Sequence, residues 1–223
     1  MSARLMFPDP QAATDLLTFA SRASRLSEDA VRLQAAGGTL VVTAAALAAQ
    51  TLLEATPTVL ALRVMPVDAE LECDLVVPAA SLAPVLEDAS AVSLPDTAVS
   101  APWAGVSPPR GGWRRVATLP ASVLAARAQW GIAAVADTVP RDSGEEIVRT
   151  VRSEVWGAAD EELAGLPRGV AFAAFALGFI AGDEEAVVRG SGPWTRLTLA
   201  RGHVLTRTTV RAGLTPVRRT GAA

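Results

Sequence analysis

The chain has 223 residues, half of them hydrophobic and 19% charged, with a formal net charge of −3. That is enough apolar material for one large domain, or two small lobes sharing a core, and it excludes wholesale disorder. The slight acidity argues against a generally basic nucleic-acid coat protein.

Lysine, tyrosine and asparagine are absent, so every side-chain cation apart from histidine is an arginine. A G+C-rich coding sequence explains the depletion. Its chemical consequence is that no P-loop lysine, Schiff base, Ser–Lys pair or tyrosine acid can operate. Cys73 is the only cysteine and His203 the only histidine. Neither an intramolecular disulfide nor a Cys/His zinc site can be completed from one chain. Cys73 reads as a small buried hydrophobe, in keeping with a reducing compartment. The N-terminus has no secretory h-region, and the strongest apolar run, Val170 to Gly182, falls short of the roughly 20 residues that span a bilayer. The sequence therefore predicts a soluble, cytoplasmic protein with no membrane association and no cofactor.

In chain order, Asp9-Pro10 has the form of an N-cap followed by a first helical residue, and Leu16, Leu17, Phe19 and Ala20 give a stripe for a helix ending near Ser24. The period then switches to two. Ala30 to Ala35 and Thr39 to Thr43, separated by Gly37-Gly38, predict a hairpin. Thr58 to Val67 and Leu71 to Pro78 predict two more strands around an acidic turn, with a helix over Ala79 to Asp88. The alanine-rich segment Ala44 to Ala55 fits either helix or strand.

Trp103 to Trp113 (WAGVSPPRGGW) cannot be regular helix or central strand, because Pro108-Pro109 removes two amide donors and Gly111-Gly112 favours sharp reversal. It reads as a stiff crossover with Trp103 and Trp113 packed against opposite lobes. The alternative is an anion or peptide clamp in which Arg110, Arg114 and Arg115 supply charge. Taken with Pro57 to Val64 (PTVLALRV), Leu75 to Leu82 (LVVPAASL) and Arg201 to Arg207 (RGHVLTR), this connector resembles an actinobacterial protein family uncharacterised in activity. The resemblance implies a G+C-rich bacterial source and supplies no mechanism.

Beyond the connector, Pro120 to Asp137 predicts a long helix with Leu124, Ala128, Gly131 and Val135 on one face. Ser143 and Glu146 have capping-box spacing ahead of an apolar stripe at Ile147, Val148, Val151 and Val155, opposite Arg149 and Arg152. Pro167 is placed to open the apolar helix that Gly182 closes. Trp194 to Ala200 and His203 to Thr209 predict a terminal hairpin. Charge is unevenly divided: six arginines face twelve acids through Arg110, fourteen face eleven beyond it, and from Ala186 onward there are seven arginines and no acid. Neutralisation of this basic end by the acidic first half is the simplest expectation.

The fold class expected is α+β, an antiparallel sheet with flanking helices followed by a helical cluster and a C-terminal β-hairpin. Its parts are a lobe over 1–102, a connector over 103–118 and a helical lobe over 119–223, or one continuous domain. Catalytic signatures are missing. His203 has no partner visible in sequence, no GxSxG elbow or GxGxxG loop exists, and the acid clusters Asp160-Glu161-Glu162 and Asp183-Glu184-Glu185 read as solvated caps rather than metal sites. The leading expectation is a non-catalytic intracellular binding or regulatory protein. It would hold an acidic protein or phosphate-bearing ligand on a surface drawn from Trp103, Arg110, Trp113, Arg114, Arg115, Arg196, Arg201, His203 and Arg207, and a homodimer is compatible with it. The alternative is non-specific nucleic-acid binding through the same arginines, including Arg211. Sequence-specific DNA reading is disfavoured, because the Val170 to Ile180 helix has no polar side chain for a groove. A hydrolase using His203 is the second alternative.

Overall fold

The computed structural model describes residues 4–51, 54–140 and 142–207. A short strand, β1 (Arg4–Met6), leads into α1 (Pro10–Ala23). Asp9 is extended and its carboxylate accepts the Ala12 N–H at 2.8 Å, which satisfies an amide that the first helical turn leaves open. The expected hairpin forms as β2 (Ala30–Ala36) and β3 (Thr39–Leu47). Gly37 and Gly38, at φ +55° and +76°, supply the two left-handed residues of its tight turn. The ambiguous alanine segment is strand as far as Leu47. β4 (Thr58–Pro66) and β5 (Cys73–Pro78) follow as expected, although β5 pairs with β2 rather than β4.

The helix expected over Ala79 to Asp88 does not form. One 3₁₀ turn at Ala79–Ser81 gives way to β6 (Ala83–Val85) and β7 (Asp88–Ser93). Pro84 is a poor interior helical residue, and β1 offers β7 a partner that places buried Leu5 opposite buried Val92.

The second half opens with β8 (Arg114–Pro120), which takes up the last residues read as connector, and α2 (Ala121–Thr138). Then come α3 (Glu145–Gly157), β9 (Ala159–Asp160), β10 (Leu166–Pro167) and α4 (Gly169–Ala176). The described residues end with β11 (Glu185–Ser191), β12 (Trp194–Leu199) and β13 (Gly202–Arg207). Three helix expectations are corrected. Gly144, not Ser143, caps α3, and no side chain bonds to that end. In α3 it is Val151 and Trp156 that are buried, while Ile147 is half exposed and Arg152 turns inward over the Phe172 ring. Pro167 lies in β10, and α4 stops after eight residues because Gly178 adopts φ +70° and Arg22 of α1 donates to the Leu177 carbonyl at 2.8 Å.

Eight strands form one antiparallel sheet in the order β5-β2-β3-β4-β13-β12-β11-β8. The pattern strand, helix, three-strand meander occurs twice, as β1-α1-β2-β3-β4 and as β8-α2-β11-β12-β13, with α3 and α4 inserted in the second copy. The meanders join at β4 and β13, where Ala61 lies opposite Val204, so the sheet is continuous through the molecule. Alternation sorts its side chains. One face sends Val31, Leu33, Val42, Val59, Leu197 and Val204 into the main core beneath α1, α2 and α4. Among the described residues the other face carries no α-helix, only the 3₁₀ turn Pro102–Gly105.

Candidate functional site

The face without an α-helix has its own smaller apolar cluster: Ala30, Ala45 and Leu60 from the first half, Trp194 and Leu205 from the second, with Trp103 buried among them. Trp113 packs against the same cluster, so the two connector indoles share one face of the sheet, Trp103 beside first-half residues such as Leu60 and Leu62 and Trp113 against Arg196 of the second half. The connector is tied down along its length. Arg32 donates to the Ala104 carbonyl at 2.6 Å, the Trp113 indole N–H to the Pro109 carbonyl at 3.1 Å, and the Ser191 hydroxyl to the Gly111 carbonyl at 3.1 Å.

Beside this strap the strand pairing lines up three arginines. Arg115 of β8 lies opposite Arg189 of β11, and Arg189 lies opposite Arg196 of β12. Directly opposed side chains project from the same face, and strands lie about 4.8 Å apart, so the row spans about 10 Å. Like charges so opposed cost a sheet up to about 1 kcal/mol per pair. Arg196 lies with its guanidinium carbon 4.6 Å from the centre of the Trp113 ring. Its Nε is buried without a hydrogen-bond acceptor. One register step along, His203 sits opposite Thr198, and its Nδ1 is 3.1 Å from the Thr198 hydroxyl. Burial first, then Arg196 and Arg189, hold the His203 imidazolium below the usual histidine range.

The face therefore brings together Trp113, Arg115, Arg196 and His203 of the residues expected from sequence. Arg207 ends β13, exposed, opposite Trp194. Exposed Arg114 starts β8, and Arg201 lies at the β12–β13 turn, lining a hollow with Arg63 and His203. Arg110 is apart, in a separate groove with Gln34 and Asp74, and Trp103 contributes packing only. Arg189 was not anticipated. Its signal is the alternation of Glu185 to Ser191 ahead of the Gly192-Pro193 turn, which sets it opposite Arg196.

Among the described residues, ion pairs hold Arg32 to Asp74, Arg63 to Asp15, and Arg127 and Arg168 to Asp160, with Glu162 also on Arg127. None reaches Arg110, Arg114, Arg115, Arg189, Arg196, Arg201 or Arg207, so the acidic half does not neutralise the described part of the basic end. Arg211, Arg218 and Arg219 lie outside the described residues. Asp160 is not a solvated cap but a buried, doubly paired carboxylate. Glu184 accepts the amides of Ala181 and Ala200. No helix among the described residues is long and apolar enough to cross a membrane.

Residues 1–105 match a family described as a domain of unknown function, DUF8010, and residues 108–211 match another, DUF8185. No curated protein matches the sequence. Solved structures do. The DNA polymerase III subunit beta (DnaN sliding clamp) of Bartonella birtlesii bound to griselimycin is 15% identical, with a TM-score of 0.50 over 97% of this chain and 68% of that one. The DNA polymerase III subunit beta of Borrelia burgdorferi, in complex with a natural product, is 6% identical with a TM-score of 0.50 over 92% of this chain and 64% of that one. The chain shares the sliding-clamp fold. It spans about two thirds of the length of these clamp chains. This likeness overturns the leading expectation from sequence, a dock for an acidic protein or a phosphate-bearing ligand.

Proposed function

We propose that this clamp-fold protein binds nucleic acid without sequence preference, contacting the phosphate backbone through the arginine row Arg115–Arg189–Arg196, with Arg207 beside it. The observation that carries the reading is the in-register row itself. Three cations on neighbouring strands with no carboxylate among their ion partners in the described residues are a local conflict in the sheet, and a polyanion resolves it. A guanidinium gives a planar fork of donors that fits phosphate oxygens. The fold relatives, titled as DNA polymerase subunits, support the same class of partner.

Non-specificity follows from what lies on that face. The apolar side chains there are covered by the strap or form the floor beneath it, and among the described residues no α-helix projects from it toward a groove. Backbone contact without base readout gives affinity that depends steeply on salt. Four phosphate contacts imply a fall of about 100-fold in affinity between roughly 50 and 200 mM salt.

The test is anisotropy of a labelled duplex titrated with protein across that salt range, using the parent chain and a triple variant Arg115→Ala, Arg189→Ala, Arg196→Ala. Steep salt dependence in the parent and a slope shallower by about three in the variant are expected. Absence of binding at low salt, or an unchanged slope in the variant, would end the proposal.

His203 does not support the hydrolase alternative. Among the described residues its near neighbours are a threonine hydroxyl and two arginines, and no carboxylate there orients the ring.

A further inference from the structure

A second site lies on the opposite side of the sheet, where the end of β3 meets α3. A cavity of about 40 Å³ is floored by Ala46, Leu47 and Ala48, with Glu28, Gln50, Glu54, Thr56, Arg152 and Ser153 around it. At roughly 10–15 Å³ for each water-sized group, it has room for a molecule of only a few heavy atoms.

Its polar groups are unequally satisfied. The Gln50 side chain donates to Glu28, and the Gln50 backbone N–H to Glu54 at 2.9 Å. The Thr56 and Ser153 hydroxyls lie 2.7 Å apart. Only one of those two can donate to the other, so one hydroxyl proton remains for a third group. Arg152 packs with its guanidinium carbon 5.5 Å from the centre of the Phe172 ring, and its buried Nη2 has no acceptor. The ring attracts the cation but does not accept that N–H in the plane of the fork. Neither Glu28 nor Glu54 forms an ion pair with Arg152 or with Arg149 at the rim. Charges of both signs thus face one small space without bridging it. A simple anion would satisfy Arg152 but meet two carboxylates, and a simple cation would meet the arginines.

We propose that this cavity binds a small zwitterion of the amino-acid class, with its carboxylate on Arg152 and the Thr56–Ser153 hydroxyl pair and its ammonium toward Glu28 and Glu54. The short side chain would rest on Ala46 and Leu47. The site is independent of the arginine row and of nucleic-acid binding.

Thermal unfolding of the full chain tests it, with glycine and alanine as ligands and acetate and methylammonium as half-ligands. Glycine or alanine in excess is expected to raise the unfolding midpoint by several degrees, and each half-ligand to require at least tenfold higher concentration. Arg152→Met keeps the packing on Phe172 and is expected to abolish the glycine shift without lowering its own midpoint. Glu28→Gln is a milder second variant, expected to weaken glycine while improving acetate. No shift with glycine or alanine at about 100 times a millimolar Kd would overturn the proposal. So would acetate acting as well as glycine, or an undiminished glycine shift in either variant.

Discussion

Arg196 rests on the face of Trp113, its guanidinium carbon 4.6 Å from the ring centre, while its cross-strand neighbours are Arg189 and Leu205. The ring holds a cation in place whose Nε lacks an acceptor, so the two residues have separable roles. Arg196→Ala removes a phosphate contact. Its salt slope for duplex DNA is expected to fall by about one, uniformly across sequences. Trp113→Leu keeps every charge. It is expected to cost about 1 kcal/mol of folding stability while leaving that slope unchanged. Anisotropy and denaturant unfolding of both variants decide between them, and a Trp113→Leu variant with a reduced slope would mean that the ring contacts the ligand itself.

His203 gives the row a pH response whose sign is fixed. Burial and the two neighbouring arginines depress its folded pKa below the unfolded value of about 6.5. The unfolded state therefore takes up the proton first. Stability from the neutral ring is complete above about pH 6.5 and is lost as pH falls from there toward the folded pKa. A bound polyanion opposes the arginine field and favours the imidazolium, so duplex affinity is expected to rise over the same interval. His203→Gln should flatten both trends relative to the parent. The checks are unfolding midpoints and anisotropy from pH 8 down to about pH 5, and a parent whose affinity weakens on acidification would contradict this account.

Much of the fold is legible where a local rule and the tertiary partner agree. Asp9-Pro10 caps α1, the Gly37-Gly38 turn closes β2 and β3, and β12 with β13 forms the terminal hairpin, although the Thr208 and Thr209 expected at its end lie outside the described residues. Sequence fails where a distant segment decides. Ala79 to Asp88 has a helical composition, yet the three residues Arg4–Met6 recruit β7 into a sheet from more than eighty positions away. Ser143 has capping-box spacing, but the chain enters α3 one residue later. At the candidate site, charge clustering in the sequence marks the end that supplies Arg189, Arg196 and Arg207. The row itself depends on β8 crossing from the connector to pair with β11, which no local period encodes. Arg189 is missed because no strand is read from sequence over Glu185 to Ser191, so nothing there sets it opposite Arg196.

Asp160 is the charge on which the helical side depends. It is buried, accepts from Arg168 Nε at 3.0 Å, lies 3.7 Å from Arg127 Nε, and takes the Glu162 amide at 3.0 Å. Arg168 in turn stacks 4.5 Å from the Trp130 ring centre. Removing the carboxylate leaves two arginines without it inside the contact of α2 with the turn before α4. Asp160→Ala is expected to destabilise the fold by about 3 kcal/mol, measured by urea unfolding. Asp183→Ala, at an exposed position after α4, should stay within about 0.5 kcal/mol of the parent. Comparable losses for the two would show that the Asp160 network is no more than surface charge.

Gly131 shows how sterics overrule propensity in α2. In an exposed helix interior, glycine to alanine gains about 1 kcal/mol. Here a methyl group would overlap the six-membered ring of Trp156, which is buried and stacked 4.4 Å from Phe172. The ring cannot swing away, because Phe172 lies against it and Gly169 of α4 is packed under the Trp156 carbonyl. Gly131→Ala is therefore expected to lose about 1–3 kcal/mol, opposite in sign to propensity. Trp156→Leu loses stability alone through the cavity it leaves, but it removes the overlapping ring, so the alanine methyl occupies vacated space in the double variant. The double-mutant cycle should show at least about 0.5 kcal/mol of rescue relative to the sum of the singles. Strict additivity would mean that the α2–α3 contact relaxes around the methyl, and the close approach of these helices would then not depend on glycine.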